Sequence, residues 1–115
     1  MADLLVFYPE GRHLYIEFLG AKYIERQPRN PDEVARLGAA GIGVAHCPSS
    51  NCILASGISP VNALRAAGVK VGLGVDGSSS ADSASMWLEA RAALLLAKLR
   101  DGAHTMTARA VLEIA

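Results

Sequence analysis

The sequence predicts an α/β fold with parallel strands, and three observations carry that expectation. The stretch Lys70-Val-Gly-Leu-Gly-Val75 is apolar on both faces, as strands covered by helices on both sides are. It sits in a regular succession of strand, helix, strand and helix, the pattern of parallel strands joined by right-handed crossovers. It stops abruptly at Asp76, which small polar residues follow through Ser83. The C-terminal end of a parallel strand is where α/β proteins place their chemistry.

In chain order, residues 3–8 read as a short strand and Pro9–Arg12 as the turn that ends it. From His13 to Arg26 the apolar residues fit neither the helical nor the strand period, and Leu14–Leu19 is a short helix or strand. Gln27-Pro-Arg-Asn-Pro31 breaks the chain. Asn30 is then a good N-cap with proline at the first helical position, opening a helix over Pro31–Ala39 with Val34 and Leu37 inward. Gly38 to Gly41 end that helix. Ile42–His46 is a strand, Pro60–Ala67 a short helix, Val69–Val75 a strand and Ser83–Arg100 a long helix. Thr107 caps a last helix that runs to Ala115 without a C-cap, which raises the expectation of truncation.

In the long helix, Met86, Leu88, Leu94, Leu95, Leu96 and Leu99 surround most of the circumference, interrupted by Glu89, Arg91 and Lys98. Such a helix wants neighbours on more than one side. A two-stranded parallel pair cannot supply them, because both its edges are open. The expectation is a piece of a larger sheet, or a homo-oligomer in which copies of the chain complete one another.

Composition narrows the partners. Eleven basic and eleven acidic side chains in 115 residues give a formal net charge of zero, so there is no electrostatic footprint for nucleic acid or an anionic membrane. With 51% hydrophobic and 5% aromatic residues, the chain forms a core and is not a disordered sequence. The apolar run Ala92–Ala97 is too short to span a bilayer, and Met1-Ala-Asp3 lacks a basic leader, so the expected location is cytoplasmic. Cys47 and Cys52 have no second pair, which is not a zinc-ribbon spacing, and reduced thiols in a core or loop are expected.

Three chemistries compete at the strand ends. Gly72, Gly74 and Gly77 spell G-x-G-x-x-G, but a polar loop follows where the dinucleotide fingerprint needs a helix. Cys47 beside His46 is a poor nucleophile and base pair, since adjacent strand residues point to opposite faces. A G-x-S-x-G elbow is absent. Asp76 on its own reads as a loop-ordering carboxylate.

The surroundings change that reading. At Val44-Ala-His-Cys-Pro-Ser-Ser-Asn51, Leu54-Ala-Ser-Gly-Ile-Ser-Pro-Val61 and Val71-Gly-Leu-Gly-Val-Asp-Gly77 the chain resembles the amidohydrolase superfamily, in the branch of guanine, cytosine and 8-oxoguanine deaminases and triazine hydrolases. The resemblance covers roughly Pro31 to Ala115, leaving 1–30 as a divergent N-terminal segment. It implies a partial (β/α)8 barrel holding the last two βα units, with Ile42–His46 as seventh strand and Val69–Val75 as eighth. The resemblance also makes Asp76 the aspartate that binds a catalytic divalent metal, zinc or iron, and accepts a proton from its water. It gives His46, Ser49 and Asn51 places beside the site or in ordering the seventh-strand loop, and Ser78, Ser79 and Asp82 places along the loop after Asp76.

The departures from the family pattern are equally plain. The first-strand His-x-His, the fifth-strand His with its Glu and the sixth-strand His are missing, and His13 and His104 have no partner at ligand spacing. One carboxylate cannot hold a catalytic metal that needs three or more protein ligands. Three readings stay open: a fragment of a metal-dependent aminohydrolase acting on a small heterocycle, a non-catalytic oligomeric binding module derived from that family, and a chain whose site an upstream polypeptide completes.

Overall fold

The computed structural model describes residues 4–7 and 30–115. Their strands form one sheet in the order β1 (Leu4–Phe7), β2 (Gly43–His46), β3 (Lys70–Leu73). β2 and β3 are parallel, with Val44 opposite Val71 and His46 opposite Leu73, as the strand–helix alternation predicts. β1 instead runs antiparallel to β2, pairing Leu4 with His46 and Phe7 with Gly43. The sheet is therefore mixed and not purely parallel, and β1 closes the edge of β2 that the sequence left open. The turn expected at Pro9–Arg12 and the ambiguous stretch Leu14–Leu19 lie outside the described residues.

α1 (Pro31–Ala39) starts as its sequence dictates. The Asn30 side chain accepts from the Glu33 backbone N–H at 2.9 Å, and proline occupies the first turn, where no N–H is needed. Val34 faces inward and joins Ile42, Val44, Leu64 and Val69 in an apolar cluster against which Leu37 packs. Gly38 is where α1 passes the end of α3 (Val61–Ala66): a Cβ there would fall on the Ala67 carbonyl oxygen. After α3, Gly68 adopts φ 84° while the Val69 N–H returns to the Leu64 carbonyl at 3.0 Å, turning the chain into β3.

Two elements differ from expectation. Pro48–Ile53 forms a short helix, α2, where a loop was expected, because Ser49, Ser50 and Asn51 are turn formers that read as loop residues. The long helix α4 (Met86–Asp101) begins three residues later than Ser83, capped by the Ser85 hydroxyl, and its buried residues are alanines and Glu89, not the leucines. Ala90, Ala93 and Ala97, spaced three and four apart, form its inward seam, and alanine lets the helix axis approach its neighbours closely. Trp87 and Leu99 are 77% and 76% exposed, and Leu88 and Leu95 also face outward. Glu89, read from the sequence as a polar interruption, is 0% exposed.

Ala90 and Ala97 of this seam meet Val61, Met106, Val111 and Ile114 in a second apolar cluster, with Val71 and Leu73 of β3 packed against it. Val111 and Ile114 come from α5 (Ala108–Ile114), whose N-cap is Thr107 as expected, its hydroxyl accepting from the Ala110 N–H at 3.1 Å. With Trp87, the outward leucines of α4 form an exposed apolar surface. Among the described residues no helix is long and apolar enough to cross a membrane.

Replacing Gly38 by alanine is expected to destabilise the chain by about 1–3 kcal/mol, the usual cost of overpacking. Urea unfolding of the two proteins measures it, and equal midpoints would show that α1 and α3 can separate without cost.

Candidate functional site

β2 and β3 end side by side, and the ladder continues one step further, with the Gly74 N–H donating to the His46 carbonyl at 2.9 Å. The two segments that leave the sheet, Cys47 onward and Gly74 onward, therefore start in contact. Only hydrogen fits at Gly74 without crowding, because a Cβ would stand 3.2 Å from the Cys47 sulfur. Asp76 lies three residues beyond Leu73 with φ 59°, a left-handed conformation that aspartate tolerates better than most side chains.

Two hydroxyls hold the carboxylate of Asp76. Ser50, in the first turn of α2, donates to Oδ2 at 2.7 Å, and Ser80 donates to the same oxygen at 2.9 Å. Oδ1 accepts no hydrogen bond among the described residues. The arrangement fixes one oxygen and leaves the other for a proton or a ligand. Ser80 is itself seated by the turn that follows, its backbone N–H bonding the Gly77 carbonyl at 3.0 Å.

α2 is anchored from a distance. Its N-cap, Cys47, makes no side-chain cap, and Pro48 at the first position has no N–H. The Ser49 backbone N–H donates instead to Glu89 Oε2 of α4 at 3.1 Å. Glu89 Oε1 has no partner among the described residues, and neither has Asn51 Oδ1. Ser49 and Asn51, expected to order a loop through their side chains, are instead residues of a helix, and Ser49 contributes through its backbone.

His46 is 4% exposed, and desolvation by burial lowers its pKa from 6.5 to about 4. At neutral pH it is a neutral imidazole. Ser78, Ser79 and Asp82 are exposed between Asp76 and α4, and neither hydrogen bond to Asp76 comes from them. Ser50, Ser80 and Glu89 were missed by the sequence reading. Ser80, four residues after Asp76 in a serine run, was the legible one, since short polar side chains there bond locally.

Among the described residues no group of three or more His, Cys, Asp or Glu side chains could hold a metal ion. Neither cysteine is in a disulfide, Cys47 being buried and Cys52 exposed.

The chain belongs to the amidohydrolase family: the model of the Amidohydrolase family matches residues 11–115. β1, the antiparallel strand, falls before that match. Among curated relatives, the 8-oxoguanine deaminase of Pseudomonas aeruginosa is 59% identical over 78 residues, which is 68% of this chain and 17% of the relative. The 5-methylthioadenosine/S-adenosylhomocysteine deaminase of Halobacterium salinarum is 46% identical over 84 residues, 72% of this chain and 20% of the relative. Among solved structures, a zinc-bound adenosine deaminase from Xanthomonas campestris superimposes with a TM-score of 0.69 at 37% identity, over 76% of this chain and 20% of that one. The chain thus spans about a fifth of the length of these relatives.

The buried imidazole has a consequence for acid stability. The unfolded chain binds the His46 proton near pH 6.5 and the folded chain only near 4, so the stability that burial of neutral His46 permits is complete above about pH 6.5 and is lost as pH falls toward 4. The interval corresponds to about 3 kcal/mol. Urea unfolding at pH 7 and pH 4 in parallel with His46→Gln, which lacks the titration, is expected to show the larger acid loss in the parent. Equal losses would place His46 in contact with water.

Proposed function

We propose that the chain is the C-terminal part of the barrel of a metal-dependent aminohydrolase, residues 31–115 supplying the seventh and eighth strands with their helices. The observation that carries this reading is Asp76 three residues beyond β3, with Oδ2 fixed by Ser50 and Ser80 and Oδ1 left open among the described residues. The family match over 11–115 and the deaminase relatives support it.

The substrate class that fits best is a small nucleobase-like ring. The identity of 59% to an 8-oxoguanine deaminase favours 8-oxoguanine over guanine, cytosine or a triazine. In such a hydrolysis water adds to the ring carbon that bears the amino group, the C–N bond breaks, and ammonia leaves with a carbonyl left on the ring. The open Oδ1 of Asp76 takes the proton of the attacking water and returns it to the departing nitrogen. Neutral His46 stands at the end of the neighbouring strand as a buried support, and Ser78, Ser79 and Asp82 line the approach.

The described residues do not fit a complete metal centre, since Asp76 is a single carboxylate and three or more protein ligands are the rule. In this reading the rest of the ligand set, for zinc or iron, comes from barrel segments outside the 115 residues, and the exposed leucines of α4 are covered by those same segments or by further copies of the chain. Metal analysis of the purified 115-residue chain is accordingly expected to find no stoichiometric zinc. Stoichiometric zinc together with ammonia release from 8-oxoguanine would show that the chain assembles a site by itself.

In the complete enzyme, Asp76→Asn is expected to lower turnover by about 10²–10⁴-fold, the range for losing a positioned proton acceptor. Ammonia release from 8-oxoguanine, guanine, cytosine and a triazine measures both rate and preference. An unaltered rate would remove Asp76 from the chemistry.

A further inference from the structure

Glu89 is a carboxylate with no access to solvent and a single described hydrogen bond, from the Ser49 N–H, while its second oxygen has no partner among the described residues. Enclosing such a group costs free energy unless something is gained from its placement. α2 shows what is gained. It is a six-residue helix too short to be stable alone, its N-cap makes no side-chain cap hydrogen bond, and its first residue is a proline. Glu89 supplies the missing cap from 40 residues away, and a carboxylate at a helix N-terminus also complements the helix dipole. The next residue after Ser49 is Ser50, which donates to Asp76 Oδ2 at 2.7 Å.

We infer that Glu89 is a positioning residue for Asp76: by fixing the first turn of α2 it sets where the Ser50 hydroxyl stands, and through Ser50 it sets which carboxylate oxygen of Asp76 is held and which is open. The inference rests on the reading of Asp76 as the reacting carboxylate. Glu89 touches neither substrate nor the reacting atoms. It works as a hydrogen-bond acceptor, so glutamine, whose amide oxygen can accept from the Ser49 N–H, replaces it, whereas alanine and the shorter aspartate do not.

Two measurements test this. In the complete deaminase, Glu89→Ala is expected to lower kcat at least tenfold with KM changed less than twofold, and Glu89→Gln to stay within threefold of the parent in kcat. Ser50→Ala and Glu89→Ala act through the same contact, so the double variant should be little worse than the poorer single one. On the full 115-residue chain, hydrogen exchange of the amides of residues 48–53 should quicken in Glu89→Ala and not in Glu89→Gln. Where Glu89→Ala does not fold, Glu89→Asp carries the test, with the same tenfold loss expected. A parental kcat in the alanine or aspartate variant, fully multiplicative effects with Ser50→Ala, a tenfold loss in Glu89→Gln, or unchanged exchange over 48–53 would each overturn the inference. Asp76→Asn run alongside separates the two levels: if it is active, the reading of the reacting carboxylate itself has failed, and if it is inactive while Glu89→Ala is not, only the role of Glu89 has.

Discussion

The parallel pairing of β2 with β3 is the constraint on which the rest of the site depends. Register alone brings His46 opposite Leu73, and the extra bond from Gly74 to the His46 carbonyl carries the pairing past the last strand residues. Two chain segments that are 26 residues apart in sequence, at Ser50 and Asp76, can then share one hydrogen bond. A slip of a single residue would send every side chain of one strand to the opposite face and separate hydroxyl from carboxylate. The close passage of Gly74 by Cys47 works in the same sense, since no side chain stands between the two segments where they diverge.

The chain divides its interior by chemistry. Apolar packing lies in two clusters, one under α1 and α3 and one between α4, α5 and β3. Buried polar groups include His46, Ser50, Asn51, Ser80 and Glu89, which lie at or just beyond the C-terminal end of the sheet or on the helix packed there. Apolar contacts stabilise the scaffold, while an enclosed carboxylate and a neutral imidazole detract from stability and give direction. Such placement is what a preorganised site needs, because fixed dipoles do not have to reorient when charge moves.

Much of this was legible in the residues. Asn30 and Thr107 announce their helices because a short polar side chain before an apolar period has one good use there. The strand at Lys70–Leu73 is legible because an apolar run ended by a carboxylate has few alternatives. What stayed hidden depends on distant partners. α2 reads as loop, since its helical state is held by a residue 40 positions away. Glu89 reads as surface, because in a helix of mixed pattern a single carboxylate is ordinarily solvated, and only the alanine seam beside it shows that its face turns inward. The antiparallel course of β1 is a matter of tertiary pairing that a four-residue apolar strand does not encode.

The left-handed backbone at Asp76 narrows what this position accepts. A φ of 59° suits glycine, asparagine and aspartate and costs other side chains about 1–2 kcal/mol through the approach of Cβ to the following carbonyl. The proposed acceptance of a proton needs a carboxylate. The two filters favour one amino acid: glutamate, the nearest chemical substitute, is penalised by conformation, and asparagine, the nearest conformational substitute, fails the proposed chemistry. Any path away from aspartate therefore lowers the stability of that turn or, in the proposed chemistry, removes the proton acceptor.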